Sequence, residues 1–350
     1  MNILKKIKGL VKRVYVPDRA LRIKIWGETI MLDSIEKAFR DFGVAAKPRW
    51  YRRLLKADML RAYGINGVTP SEYFLFGYDK NKDQAYRNRF LTVKQKDTLC
   101  MEKIGIEHYR HDLCDKYHFY ELCKPYFHRE VLKLTASTDE AEFQEFAAGH
   151  GRVIIKPLNG QCGRGTFIYE AAHPCTTLAE LMVDGAEFIV EEVVRQHPFF
   201  AAYNASSVNT LRIPSIMKGG KATILQPYLR TGRAGYVVDN VIGGGILALI
   251  DKETGTVTTN GYDEVGRQFE KHPDSGKAYK GAQIPHWQEL LEYVQELHGS
   301  LPGVHRYVGF DLALNEHNEW CVIEGNWGEF GGQLGTGEPV RAEFEELMRD

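Results

Sequence analysis

Between Tyr307 and Asn326 the sequence places two apolar segments around a polar turn, and each segment carries an acid. Tyr307-Val308-Gly309-Phe310-Asp311-Leu312-Ala313-Leu314 and Trp320-Cys321-Val322-Ile323-Glu324-Gly325-Asn326 have strand composition, while Asn315-Glu316-His317-Asn318-Glu319 has that of a turn. Side chains along a strand alternate between its faces. Val308, Phe310, Leu312 and Leu314 therefore share one face, with Asp311 on the other. Val322, Glu324 and Asn326 share a face, which sets the Glu and Asn heads about 7 Å apart along the strand. The hairpin thus confines the fold to one in which a sheet aims Asp311, Glu324 and Asn326 at one place. An oxygen-only cluster of this kind suits Mg²⁺ bridging nucleotide phosphates. The expectation is a metal floor for a nucleotide site.

The remaining composition limits the alternatives. A length of 350 residues allows one large domain or two to three small ones. Hydrophobic content of 43% and charged content of 26% predict a soluble globular chain, and a net charge of −1 gives no reason to expect nucleic-acid binding. The cysteines Cys100, Cys114, Cys123, Cys162, Cys175 and Cys321 are scattered without a C-x-x-C pair, so reduced thiols are expected rather than disulfides or zinc. No apolar run reaches the roughly 18 residues of a membrane span, and the basic N-terminus lacks the apolar core of a secretion signal. A cytoplasmic protein is expected.

Along the chain, Ile3, Ile7, Leu10, Val11 and Val14 fall at helical spacing among Lys5, Lys6, Lys8, Lys12 and Arg13. A basic amphipathic helix over 2–14 can touch an anionic membrane surface, dock a partner or simply pack on its own protein. Residues 31–64 read as two helices separated at Lys47-Pro48, and 64–93 as loop and short helix around Tyr73-Phe74-Leu75-Phe76. Helices are expected at 94–103, 115–123, 139–148, 286–298 and 339–349. Strands are expected at 131–134, 153–157, 166–170, 187–194, 208–216, 222–229 and 246–251. Residues 260–284, rich in Gly, Lys, Asp and His, read as a long loop and a candidate substrate lid.

Four further segments carry chemistry. In Val153-Ile154-Ile155-Lys156-Pro157-Leu158-Asn159-Gly160-Gln161-Cys162-Gly163-Arg164-Gly165-Thr166, a strand delivers a lysine to a loop of three glycines. Glycines let backbone amides approach an anion, and the lysine supplies a point charge. No G-K-[ST] opens a helix here, so this is not a Walker A loop. Glu187-Phe188-Ile189-Val190-Glu191-Glu192-Val193-Val194 is an apolar strand ending in acids, able to offer backbone groups to adenine and a carboxylate to ribose. Ser207-Val208-Asn209-Thr210-Leu211-Arg212-Ile213 puts Thr210 and Arg212 on one face. Arg230-Thr231-Gly232-Arg233 and Asp239-Asn240-Val241-Ile242-Gly243-Gly244-Gly245 add arginines and a triple glycine, suited to phosphoryl charge. Taken singly, each segment also fits an ordinary solvated strand or turn.

The order of these segments resembles the ATP-grasp superfamily: strand lysine, glycine loop, acid-ended strand, arginine strand, then D…E-x-N. S-x-V-N-T-L-R, H-P-D-S-G followed by I-P-x-W, and G-F-D…I-E-G-N resemble its sugar-transfer-associated branch, over roughly residues 95–335. The resemblance implies an α/β ATP-grasp fold of two α+β lobes. It places a helical N-terminal region at 1–93 and a catalytic domain at 94–350, with lobes at about 125–195 and 196–350. It implies that Lys116 contacts the nucleotide from the N-terminal side, that Lys156, Gly160, Gly163, Gly165 and Thr166 meet its phosphates, and that Glu191, Glu192, Val194 and His197 surround adenine and ribose. Arg212 and Arg233 would join Lys156 as catalytic groups, and Asp311, Glu324 and Asn326 would ligate two Mg²⁺ ions. Asn240, Gly243, Gly244 and His272 would face the acceptor substrate. The implied activity is ATP-dependent joining of a carboxylate to an amine, such as an amino acid with a sugar acid or cell-envelope glycan precursor. Phosphorylation of a hydroxyl and a nucleotide-binding scaffold for glycosyltransferases are the alternatives.

Overall fold

The computed structural model describes residues 22–25, 28–159, 165–236, 239–328 and 330–349. The basic helix expected over 2–14 lies outside them, as do Gly160 and Gly163. The chain divides into two units, residues 1–96 and 97–350.

In the first unit, strands β1 (Arg22–Ile25) and β2 (Glu28–Met31) form an antiparallel hairpin that the sequence reading did not anticipate. Helices α1 (Leu32–Asp41), α2 (Arg49–Asn66), α3 (Pro70–Leu75) and α4 (Gln84–Arg87) follow. The break between α1 and α2 falls where Lys47-Pro48 predicts it. Helix α2 ends at Gly67, whose φ of 71° is the left-handed conformation that glycine adopts without Cβ strain. Thr69 and Glu72 close a capping box on α3. Ile35, Ala38 and Phe39 recur at helical spacing on α1 and are buried, as are Met59, Tyr73, Phe76, Tyr78 and Phe90. Each large apolar side chain so buried contributes about 1.5–3 kcal/mol.

Helix α5 (Val93–Lys103) leads to a π-helical turn at Tyr109–Cys114, then α6 (Lys116–Cys123), whose N-terminus Asp115 caps. Among the described residues the second unit holds two antiparallel sheets. The smaller has the order β3-β6-β4-β5, built from β3 (Val131–Leu134), β4 (Arg152–Pro157), β5 (Phe167–Glu170) and β6 (Phe188–Glu192). Helix α7 (Glu140–His150) covers it through Phe143 and Ala147, which pack with Val153, Ile155, Tyr169 and Val190.

The larger sheet has the order β12-β11-β10-β9-β7-β13-β14, with β8 paired to β7. Its strands are β7 (Thr210–Lys218), β8 (Lys221–Ile224), β9 (Tyr228–Thr231), β10 (Ile246–Leu249), β11 (Gly261–Tyr262), β12 (Gln268–Phe269), β13 (Tyr307–Leu314) and β14 (Trp320–Asn326). Helix α8 (Trp287–Ser300) lies on β7 and β8, and α9 (Gly331–Thr336) and α10 (Arg341–Leu347) close the chain. Because β13 is flanked by β7 and β14, all eight of its residues are buried.

Three expectations need correction. The single strand expected at 222–229 is two, β8 and β9, separated by Gln226 at a φ of 38°. Helix α7 does not stop at Gly149: it runs to His150, and Gly151 caps it at a φ of 70°. Residues 260–284 are not a featureless loop, since they contain β11, β12 and a bridge between Lys271 and Ala278.

Candidate nucleotide and metal site

The acids of the closing hairpin are positioned by strand register. Asp311 on β13 stands opposite Arg212 on β7 and Glu324 on β14, so the three side chains form a row across adjacent strands. A bulge after Asp311 shifts the register, and Leu312 pairs with Val322. Arg212 grips Asp311 through two nitrogens: Nε donates to Oδ1, and Nη2 donates to Oδ2 at 3.0 Å. Its Nη1 donates to Asn326 Oδ1 at 2.9 Å, and Asn326 Nδ2 donates to Glu324 Oε1 at 3.1 Å. Asp311, Glu324 and Asn326 therefore do converge.

Gly328 makes room for that arrangement. A Cβ at this position would fall 1.4 Å from Arg212 Nη1 and 2.5 Å from Asn326 Oδ1. Gly325 serves a second close approach, since its Cβ would lie 2.9 Å from the Phe119 ring of α6. That contact seats α6 against β14.

A second arginine joins the row. Arg230, in the register opposite Thr210, sends Nη2 to Asp311 Oδ2 at 3.0 Å and to Asp239 Oδ1 at 3.1 Å. Asp239 also accepts from the Thr210 amide at 2.9 Å and the Thr210 hydroxyl at 2.5 Å. Burial pushes Asp311 upward, but the charges of Arg212 and Arg230 outweigh it and hold the carboxyl below its ordinary value. Glu324 moves the other way, raised by burial, by the charge of Asp311 and by a hydrogen bond to Asp311. One carboxyl of the pair ionises readily and its neighbour resists.

The lysines approach from α6 and β4. Lys156 is buried, with Nζ 2.6 Å from Glu191 Oε1, and Arg129 holds the other oxygen of Glu191 at 2.5 Å. Glu191 is 2% exposed, and although burial works against ionisation, its two cationic partners lower its pKa to about 2. Lys116 Nζ donates to the carbonyls of Pro157 at 3.1 Å and Leu158 at 3.3 Å, at the point where β4 enters the glycine loop. Its pKa is lowered by burial and by the charge of Lys156, while Glu324 and Glu191 act in the opposite sense. Lys116 thus feels the charges of both Lys156 and Glu324, the arrangement an anionic ligand between cation and acid would use.

Other expected positions are placed differently. Gly165 has a φ of 73°, and Thr166 is half-buried beside it. Glu192 accepts from the Glu130 amide at 3.3 Å, and Val194 lies just beyond β6. His197 is a helix cap: Nδ1 accepts from the Phe199 amide at 3.1 Å. Asn240 accepts the amides of Gly243 and Gly245 in a tight turn, with Gly244 at a φ of 96°. His272 is 1% exposed, with Nε2 2.9 Å from the Gly232 carbonyl and Nδ1 accepting from Asp274 and Ser275 amides at 3.3 Å. Arg233 forms a two-pronged pair with Asp274 at 2.8 and 2.9 Å. Neither His272 nor Arg233 is among the side chains that meet at Asp311. Instead they pin the 270–278 segment to the turn at 232–234.

Arg230 and Asp239 stood in segments read as suited to phosphoryl charge but were given no site role, and Arg129 and Gly328 were not singled out from sequence. Thr210 lies on the Arg212 face, which was the available signal for Asp239 and Arg230; Arg129 carries no local signal.

The donor set offered by Asp311, Glu324 and Asn326 is all oxygen, as Mg²⁺ requires; Asp311 Oδ1 meets one arginine nitrogen and Oδ2 two, while Glu324 Oε1 accepts from Asn326. Glu324, held toward its protonated form, is the carboxyl that a cation would ionise. The residues fit the ion.

Comparison with curated proteins finds no match. Among solved structures, D-alanyl-alanine synthetase A from Vibrio cholerae is 14% identical at a TM-score of 0.40, matched over 68% of this chain and 63% of that one. The D-alanine-D-alanine ligase from Coxiella burnetii is 9% identical at a TM-score of 0.40, over 67% and 56% of the two chains. ATP-grasp ligase PsnB, complexed with precursor peptide PsnA2 and AMPPNP, is 13% identical at a TM-score of 0.42, over 90% and 75%. This chain thus spans less than two thirds of the first two proteins. The family described as sugar-transfer associated ATP-grasp matches residues 112–343, which include every converging residue above, and the chain belongs to that family.

Proposed function

We propose that the protein is an ATP- and Mg²⁺-dependent ligase that activates a carboxylate as an acyl phosphate and joins it to an amine. The observation that carries this reading is the row in which Asp311, Glu324 and Asn326 meet around Arg212, with Lys116 anchored at the end of β4 and Lys156 on β4 paired to Glu191. Lys116 and Lys156 would bind the phosphates. Asp311, Glu324 and Asn326 would hold Mg²⁺, which supplies positive charge to the phosphate oxygens. A carboxylate oxygen attacks the γ-phosphorus and ADP leaves; the amine then attacks the acyl carbon, and phosphate and a proton depart. Arg212 and Arg230 keep Asp311 ionised and oriented, and add positive charge where the phosphoryl group becomes more negative. No side chain needs to act as a covalent nucleophile.

The family description favours a sugar-linked substrate, and we propose an amino acid joined to a sugar acid or cell-envelope glycan precursor. Among the described residues no helix is long and apolar enough to cross a membrane. A screen of paired acids and amines, read by ADP formation, free phosphate and product mass, tests the reaction. Equal ADP and phosphate with an amide product is expected. ADP with a stable phosphoester and no free phosphate would replace the ligase reading with a kinase.

A further inference from the structure

We infer that His111, Asp112 and His118 form a second metal site, distinct from the hairpin acids, that takes a divalent transition ion such as Zn²⁺. One ligand atom from each residue lies within 4.8 Å of the others. Asp112 Oδ1 is 2.6 Å from His111 Nδ1 and 3.4 Å from His118 Nε2. A tetrahedral ion about 2.0–2.2 Å from its ligands separates them by about 3.3–3.6 Å. The Asp112–His118 spacing already meets that requirement. The His111–Asp112 hydrogen bond would open by less than about 1 Å as the ion replaced its proton. Two imidazoles and one carboxylate suit Zn²⁺ and its neighbours, whereas Mg²⁺ prefers oxygen alone.

The surroundings are those of an oriented ligand set. Asp112 has its second oxygen fixed at 2.7 Å by Nε2 of His305, which is 1% exposed. The Nδ1 of His305 has no hydrogen-bond partner among the described residues. Its contact with Asp112 Oδ2 leaves Oδ1 facing the two histidines. The His305 carbonyl in turn accepts from His298 Nε2 at 2.7 Å, and His298 Nδ1 is 2.8 Å from the Ser215 hydroxyl on β7. Ligating carboxylates are commonly oriented by such outer hydrogen bonds. On the opposite side of the ring, Glu121 Oε2 lies 3.7 Å from His118 Nδ1. A cavity of about 450 Å³, lined in part by His111, His118, Glu107 and Glu121, leaves room for water to complete the coordination.

The location gives the ion a task. His111 and Asp112 lie in the π-helical turn, and His118 lies in the first turn of α6. Lys116 sits between them. An ion bound here clamps the turn to the helix and fixes the base from which Lys116 reaches the end of β4. The site itself does not depend on the proposed ligase chemistry.

The test is a titration of metal-free full-length protein with Co²⁺, read by visible absorption, and with Zn²⁺, read by competition against a chelator, both in excess Mg²⁺ to occupy the oxygen site. One ion per chain with a tetrahedral absorption band is expected. His111→Ala and His118→Ala, both at accessible side chains, should each weaken binding by about 100-fold, and His305→Ala by about 10–100-fold. His317→Ala, at an exposed histidine elsewhere, should bind as the unaltered protein does. Absence of binding, or unchanged affinity in the combined His111→Ala and His118→Ala variant, would overturn the inference.

Discussion

Asp311→Asn is the perturbation that bears most directly on the row of charges. Asp311 is 1% exposed and receives both nitrogens of the Arg212 fork and one from Arg230. Asparagine keeps one acceptor oxygen and loses the charge. A hydrogen bond to a charged group is worth about 1.5–3 kcal/mol, and breaking a buried ion pair costs about 3–5 kcal/mol. Two compensations lower that figure: Arg230 retains Asp239, and Glu324 no longer faces a neighbouring negative charge. A net loss of about 3 kcal/mol is expected. The affected unit runs from Asp97 to Asp350, a size at which each kcal/mol moves Tm by about 2–4 °C, so the midpoint should fall by about 6–12 °C. Calorimetry at pH 7 with and without Mg²⁺-ATP separates stability from function. Ligand at a hundredfold excess over Kd adds about 2.7 kcal/mol to the unaltered protein, and the variant should lose the Mg²⁺-dependent part of that gain. A variant within about 2 °C of the parent, still stabilised by Mg²⁺-ATP, would refute both the energetic reasoning and the metal assignment.

The buried Glu191 makes a pH prediction. Its folded pKa of about 2 lies below the ordinary 4.5, so the stability it contributes is present above pH 4.5 and is lost as pH falls toward 2. The shift corresponds to about 3 kcal/mol, and acid denaturation of Glu191→Gln should show a correspondingly shallower loss over that window; identical acid limbs would count against the Lys156–Glu191–Arg129 assignment. Arg230→Gln should lower stability in urea by about 2–3 kcal/mol, because it leaves Asp239 without its cation and Asp311 with one fewer. Arg233→Gln, whose pair with Asp274 is one-third exposed, should cost less than about 1 kcal/mol. Equal losses in the two variants would contradict the distinction drawn between these arginines.

That distinction also marks how far the sequence could be read. Asp311, Glu324 and Asn326 were legible because two of them lie two residues apart and the third is on the adjoining strand, so local alternation alone brings them together. Arg230 and Arg233 are only three residues apart and chemically identical. What separates them is that Arg230 lies within β9, opposite Thr210, while Arg233 lies in the following turn, and pairing over 20 residues has no local signature. The split at Gln226 was missed for a related reason. Its left-handed backbone is imposed by the sheet rather than announced by a glycine. Strand positions fared better because β-branched runs between glycines carry their own signal, as β4 and β5 illustrate. The hairpin β1–β2, two four-residue strands, offered too short a pattern to distinguish.

Arg129 has a mechanical consequence. Its Nε donates to Glu191 on β6 at 2.7 Å, while Nη1 donates to the Val322 carbonyl on β14 at 2.6 Å. One planar group therefore rivets the sheet that carries the glycine loop to the strand that carries Glu324. A guanidinium fork resists sliding far more than tilting, because its bonds shear apart under translation yet bend under small rotation. Any movement that brought Lys156 nearer the hairpin acids would have to pivot about these bonds or break them.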